Sequence, residues 1–302
     1  MHKIKVKIDG IGGLKRPKKD LRDFQWHKKF GGVSELPTQD FDVWEPLTTF
    51  DQGANDLCTD YSTIGAAEAQ FSQILDVCFQ RAAHNEVAGT PGYIGGADPK
   101  QAALAVIKVG AIPQSIAPFN LNDSPSSYAD ISKYPQNIVD EAGADKEFSL
   151  YQITPNNGMD LFDSIRAALW QSYQSTFKAP VMVGTEWELG WLQNATPGEG
   201  HPEGIINQIN PNQPYTDHAF VFTGQKTING ILYLKAHLSS GTEWGDQGFF
   251  YFTREIVNLF IYAQAFAPGS PSDYKAQQWT ILQKIYDILI SLLAKIKNQS
   301  NG

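Results

Sequence analysis

Between residues 58 and 83 the chain has no proline and one glycine, and Ile64, Ala67, Phe71, Ile74, Leu75, Cys78 and Phe79 recur at spacings of three and four. This period puts one side of a helix against a core and predicts a single central helix across the segment, with Asp56 ahead of it as N-cap. A second helix is predicted from Pro99 to Val109, opening at Asp98-Pro99 and stopping at Gly110, and a third from Met159 to Tyr173. The pattern then changes to alternation and short apolar runs. Val181–Gly184, Ala219–Thr223, Ile231–Lys235 and Phe249–Phe252 read as strands. Helices first and strands second predict an α+β fold, with helices on one side of a mostly antiparallel sheet.

The two ends have a different texture. Residues 1–40 are rich in glycine and lysine and read as an N-terminal arm, with one strand at Lys3–Ile8 where Ile4, Val6 and Ile8 alternate with lysines. Residues 264–275 (QAFAPGSPSDYK) read as a Pro/Gly/Ser hinge. Beyond it Ile281, Ile285, Ile288, Leu289, Leu292, Leu293 and Ile296 line one face of an amphipathic helix. Three units follow: an arm (1–40), a main domain (41–262), and a hinge with its C-terminal helix (263–302). The apolar stripe must be covered, either by the body itself or by self-association or docking to a partner. A weakly basic polar face makes membrane-surface binding the minor reading.

Composition narrows the class. With 302 residues, 42% apolar and 19% charged, the chain is long enough for a sizeable core and is neither disordered nor fibrous. It holds no run of 18 uncharged apolar residues, and its start has no apolar signal region, so a cytoplasmic or virion-associated protein without a membrane span is expected. The net charge of −8 is uneven. Residues 1–30 hold ten Lys/Arg against three Asp/Glu, so a basic arm sits on an acidic body. Such an arm docks on its own body or on an anionic partner, or stays solvated. The acidic body argues against nucleic acid as the ligand. Two cysteines, with no CxxC and no HExxH, leave no support for a disulfide scaffold or a structural zinc site, and no metal or organic cofactor is implied.

The informative segment is Asp51-Gln52-Gly53-Ala54-Asn55-Asp56-Leu57-Cys58-Thr59. A cysteine in the first turn of a helix meets free backbone N–H groups and the positive end of the helix dipole, which favour a thiolate. Gln52, six residues upstream on a glycine-containing loop, can turn its amide to the same point and with the Cys58 N–H form an oxyanion hole. Cys78 falls on the apolar stripe and reads as core packing, with both thiols free.

These residues, with others in order, resemble the papain family of cysteine peptidases, in its bacterial and viral branches. Gln52-Gly53 and Cys58 fit the nucleophile block. Phe41-Asp42-Val43-Trp44 fits the start of the mature domain, Gly92-Tyr93-Ile94-Gly95-Gly96 the Gly-rich loop that pairs with extended substrate, and Asp217-His218-Ala219-Phe220-Val221 the histidine strand. Gly241-Thr242-Glu243-Trp244-Gly245-Asp246-Gln247-Gly248-Phe249 fits the closing motif. The resemblance spans residues 41–255. It implies a helical half whose central helix opens at the Cys, a β half, and a thiol protease mechanism. In that mechanism His218 deprotonates Cys58, the thiolate attacks a peptide carbonyl, Gln52 and the Cys58 N–H hold the oxyanion, and water resolves the thioester. It also implies substrate contacts at Gly95, Gly96, Asp217, Ala219 and Trp244, and a peptide or protein as substrate.

The chain departs from the pattern where Asn and Trp are expected, at Leu238 and Ser240. His237 is the candidate orienter of His218 in their place. Two other readings stay open: a catalytically weak papain-like scaffold with a structural or binding role in a virion or surface assembly, and a peptidoglycan amide hydrolase. Glu186 and Glu188 read as an acidic rim, and His84 and His201 as solvated surface histidines.

Overall fold

A computed structural model of the chain describes residues 14–17, 20, 23–143, 148–188, 191, 204–210, 212 and 214–269. In chain order the elements are β1 (Phe24–Gln25), α1 (Trp26–Phe30), β2 (Phe41–Asp42), α2 (Cys58–Phe71), α3 (Val77–Ala88), α4 (Pro99–Lys108), α5 (Pro125–Tyr128), α6 (Gln136–Ala142), β3 (Phe148–Gln152), α7 (Leu161–Gln174), β4 (Val181–Glu188), β5 (Ile205–Ile206), β6 (Tyr215–Ile228), β7 (Ile231–His237), β8 (Phe249–Phe252), α8 (Arg254–Val257) and β9 (Tyr262–Pro268).

The strands form one sheet in the order β1-β3-β9-β4-β6-β7-β8-β5, with β2 also on β6. Pairing is antiparallel except at β1/β3 and β5/β8. The sheet separates two apolar cores because successive strand side chains face opposite ways. On β6, Phe220 and Phe222 join Trp187, Phe250, Phe252 and helix α7 in one core. Ala219 and Val221 turn to the other, where α2 and α3 pack with Leu57, Cys58, Ile64, Leu75 and Cys78. At Gly65 α2 packs directly on the sheet: a Cβ there would make an ordinary van der Waals contact with Val221 Cγ1 at 3.6 Å. The α+β class, the antiparallel sheet and the helix opening at Cys58 agree with the sequence reading.

Several expectations change. The single central helix is two. Ser72 adopts the left-handed conformation (φ 54°) and its N–H closes on Glu68 O, then Asp76 caps a new helix by accepting from Phe79 N at 2.6 Å. The apolar period runs on across the break because α3 packs against the same core, so periodicity alone did not show it. Asp56 does not cap α2; the N-cap is Leu57, with no side-chain cap bond. Asp98 and Asp160 do cap α4 and α7. The sequence reading missed β3 and β9. The expected boundary at 262/263 falls inside β9, whose buried residues pair with both β3 and β4, so the chain is committed to the domain through Pro268. The arm likewise joins the body before residue 40: β1 pairs with β3 and Trp26 is buried. The strand at Lys3–Ile8, His201 and the C-terminal helix lie outside the described residues. Among the described residues no helix is long and apolar enough to cross a membrane, and no group of three or more His, Cys, Asp or Glu is placed to hold a metal ion.

Glu68, at the end of α2, is fully buried. Its Oε1 accepts from Leu75 N at 3.0 Å, while Oε2 has no hydrogen-bond partner. Burial pushes its carboxyl up to about 8 against a partial offset from the Leu75 N–H. The folded state therefore holds the proton more tightly than the unfolded chain, and stability falls as pH rises from about 4.5 to 8. Glu68→Gln keeps an acceptor for Leu75 and removes the charge. Its melting temperature should exceed that of the wild type at pH 8 to 9, with the gap shrinking toward pH 4.5. A gap independent of pH would contradict this assignment.

Candidate active site

Cys58 is the first residue of α2 and is fully buried against β6. The backbone of Ala219 hydrogen-bonds its thiol. The next residue back on the strand is His218, so the helix terminus and the histidine strand meet. Gln52 lies buried on the loop before α2. Its N–H donates to Ser239 O at 2.8 Å, its side-chain Nε2 donates to Asn55 O at 2.9 Å, and Ser239 Oγ donates to its Oε1 at 2.6 Å. Ser239 thus fixes the amide. The sequence marked it only as a neighbour of the missing Asn, whereas the isolated bridge Asp51↔Ser240 brings its segment beside the Gln52 loop.

The expected low-pKa thiol is not present in this state. Burial pushes the Cys58 thiol up to about 12, only partly offset by the Ala219 backbone. Burial likewise pushes His218 down to about 3. Neither ring nitrogen of His218 has a hydrogen-bond partner. Alternation explains this: His218 lies on the Phe220 side of β6, edge-on to Trp187 at 5.2 Å between ring centroids, whereas the thiol lies on the Ala219 side. Cys78 is also free and buried in the core, as expected.

His237 does not orient His218. It sits in register with Val221, on the face turned to α2, and its Nε2 meets Thr49 Oγ1 at 3.3 Å. Burial pushes it down to about 4, with Lys235 adding to the effect. Leu238 packs in the aromatic core that also holds Trp187 and Phe220, the two rings that flank His218. Trp187 supplies an aromatic wall to His218 from the neighbouring strand, where Thr185 pairs with His218. No local pattern marks this role, since Trp187 reads in the sequence only as a residue between two acids.

Of the expected substrate contacts, Gly95 O accepts from Arg81 Nη1 at 2.7 Å, behind the loop. Trp244 is half-buried against the aromatic core, and its carbonyl accepts from Gly248 N at 2.8 Å. Asp217 and Ala219 face the arm. Leu14 bridges to Ala97 in parallel sense, and Lys15 N donates to Ala97 O at 2.7 Å, one residue past Gly96. Leu14 is buried in the core that holds Cys58, Met182, Ala219 and Tyr262. Arg16 Nη2 reaches Glu186 Oε1 at 2.5 Å and Asp217 Oδ1 at 3.4 Å. Residues 14–16 of the arm thus dock on the acidic body, and Leu14 enters the same apolar core as the thiol. Two surface expectations fail. Glu188 is buried, its Oε2 accepting from Asn210 N at 2.7 Å, and His84 is buried with Nδ1 3.5 Å from Asp60 Oδ1. Glu188 shares the Glu186 face of β4 and is held in by the Asn210 N–H, and the Asp60–Arg81 ion pair draws His84 in.

No family model matches the chain, and no curated protein sequence matches it. Solved structures do. Xylellain, a cysteine protease from Xylella fastidiosa, superposes with a TM-score of 0.69 at 18% identity, covering 89% of this chain and 99% of that one. Procathepsin B S9 from Trypanosoma congolense gives 0.61 at 15% identity, covering 85% of each chain. The bromelain protease from Ananas comosus, in complex with the E64 inhibitor, gives 0.55 at 16% identity, covering 76% and 98%. The fold is that of the papain-like cysteine proteases.

If Leu14 is what seals the arm over the thiol, Leu14→Asp should release it, because a carboxylate left unpaired in an apolar slot costs more than the about 1.4 kcal/mol that a factor of ten represents. Cleavage by trypsin after Arg16 should then speed up by at least about tenfold. An unchanged cleavage rate would show that the arm is held elsewhere.

Proposed function

We propose that the chain is a cysteine-type endopeptidase, a hydrolase that cleaves peptide bonds by acyl transfer to Cys58, held latent by its own N-terminal arm. The observation that carries this reading is the meeting of the α2 terminus with β6: the Ala219 backbone hydrogen-bonds the thiol, His218 is the adjacent residue in sequence, and Ser239 Oγ holds the Gln52 amide on the loop that leads into α2. Three segments carry the proposed roles: the α2 terminus the nucleophile Cys58, the loop before it the oxyanion donor Gln52, and β6 the base His218, whose ring lies on the other face of the strand from the thiol.

In the closed state both members of the pair are neutral, because charge is costly where Leu14 excludes water. Release of the arm admits water and lowers the cost of a thiolate–imidazolium pair; to meet the sulfur the imidazole must also leave the Trp187 face of β6. His218 then takes the thiol proton and the thiolate attacks the peptide carbonyl. The oxyanion sits between the Cys58 N–H and the Gln52 amide, the amine leaves with the proton from His218, and water frees the acid from the thioester. Leu238 stands where an amide would fix the imidazole, so turnover is slow.

The test uses the Leu14→Asp chain and an unstructured protein substrate. Hydrolysis should disappear with Cys58→Ala. Gln52→Ala should lower kcat by about 10²–10³, the usual loss for one oxyanion donor. Leu238→Asn should raise kcat. Labelling of Cys58 by a thiol-trapping epoxide without any turnover would favour the papain-like binding scaffold instead.

A further inference from the structure

The break between α2 and α3 borders a second cavity, of about 460 Å³. Because α3 starts afresh at Val77, its N-cap Asp76 and its first-turn Cys78 stand in the wall, together with Tyr61 of α2. Two loops complete it. Residues 48–51 are held by Gly241 N, which donates to Phe50 O at 2.9 Å, and by the Asp51↔Ser240 bridge. The loop after α4 is held by Gln114 N, which donates to Ile74 O at 2.9 Å, and by the Leu75↔Pro113 bridge. None of Gln52, Cys58, His218 and Ala219 lines this cavity. Its wall has one sign of charge. Asp51 and Asp76 lie in it, and no described residue lining it is Lys, Arg or His. Asp51 Oδ1 accepts from Gly53 N at 2.9 Å and Asp76 Oδ1 from Phe79 N at 2.6 Å, and neither carboxylate pairs with a described cation. Tyr61 is 6% exposed, and its hydroxyl has no hydrogen-bond partner among the described residues. Burial pushes its phenol up, followed by the charges of Cys78, Asp76 and Asp51, all three in the wall, so the hydroxyl is turned to the cavity. The Tyr61 ring meets Phe50 at 5.1 Å between centroids, and Phe119 lines the same space.

We propose that this cavity is a binding site for a small organic cation, an amine or guanidine carried on a flat apolar body. Asp51, Asp76 and the Tyr61 oxygen receive the charged head, which gives the buried phenol the partner it lacks. Phe50, Tyr61 and Phe119 pack the body, and their π faces add to the preference for a cation. An anion of the same shape would meet two carboxylates and no positive side chain, and is rejected. The volume lies within the about 300–1,000 Å³ usual for small-molecule sites, as does the mixture of apolar walls with a few polar groups. The site is separate from the residues assigned to peptide hydrolysis, and its occupation requires no turnover.

The experiment is a calorimetric titration of the full chain with phenethylamine, 2-phenylethanol and phenylacetate, in low salt at pH 8. That pH lies above the value of about 6 to which burial pushes the Asp76 carboxyl, against a partial offset from the Phe79 and Cys78 N–H groups. The probes share a ring and differ in the head: cationic, neutral and anionic. The amine should bind at least about fivefold more tightly than the alcohol, the gain of a partly exposed ion pair, and the carboxylate should not bind saturably. The double variant Asp51→Asn, Asp76→Asn keeps an acceptor for the Gly53 and Phe79 N–H groups, and Asn caps a helix about as well as Asp. In it the amine should bind no better than the alcohol. The comparison of amine with alcohol is made on the wild-type chain and stands whether or not the variant folds. Equal affinity for amine and alcohol, or no saturable binding of the amine, would overturn the assignment. So would an amine preference that survives in the folded double variant, since the cation would then sit elsewhere.

Discussion

The contact on which the structure depends is that of the first turn of α2 with the β6 strand. Helix and sheet pack directly there, and the Ala219 backbone hydrogen-bonds the Cys58 sulfur. Everything else serves that contact. β4 and β7 flank β6 and fix its register, the Gln52 loop is tied to Ser239 at the end of β7, and α3 and α4 brace α2 from behind. A helix terminus left with unsatisfied N–H groups is ordinarily a weakness; here it points at the one place where an anion would form.

The same junction explains the quiet state of the site. A helix terminus favours a thiolate, but desolvation opposes it more strongly once Leu14 and the sheet close over the sulfur. His218, with no polar partner and Trp187 against its ring, is held neutral by the same exclusion of water. Acidic groups are handled differently in the helical half, where Asp60 is buried but paired with Arg81 Nη2, which also donates to Asp56 O, while Nη1 donates to Gly95 O. One guanidinium so links the nucleophile loop to the Gly-rich loop, in a chain that has no disulfide to do it.

Much of this was legible in the sequence. The order of motifs around Gln52, Cys58, His218 and Gly241–Phe249 implied the fold and brought the right segments together. What stayed hidden were facts of parity and of distant contact. Period three-to-four runs through Ser72 because α2 and α3 share one core, so the break left no mark. Whether His237 or Leu238 faces His218 depends on a register of one residue, and Val221 opposite His237 settles it. β9 was read as a hinge because its Pro and Gly lie at its end, while its alternating Ala and Phe are short side chains on a strand buried on both faces. The role of Trp187 and the seat of Arg16 arise from contacts across 31 and 170 positions or more, which no local pattern records.

The central claim is that the arm suppresses the thiol by excluding water from Cys58. It is tested most directly by the rate of Cys58 alkylation as a function of pH, mapped by mass spectrometry, in the intact chain and in the Leu14→Ser, Arg16→Ala chain. The account predicts that the intact chain reacts appreciably only as pH approaches the raised thiol value of about 12. The variant's profile should shift several pH units lower, with a shoulder from the His218 pair that His218→Ala removes. Identical profiles in the two chains would contradict it.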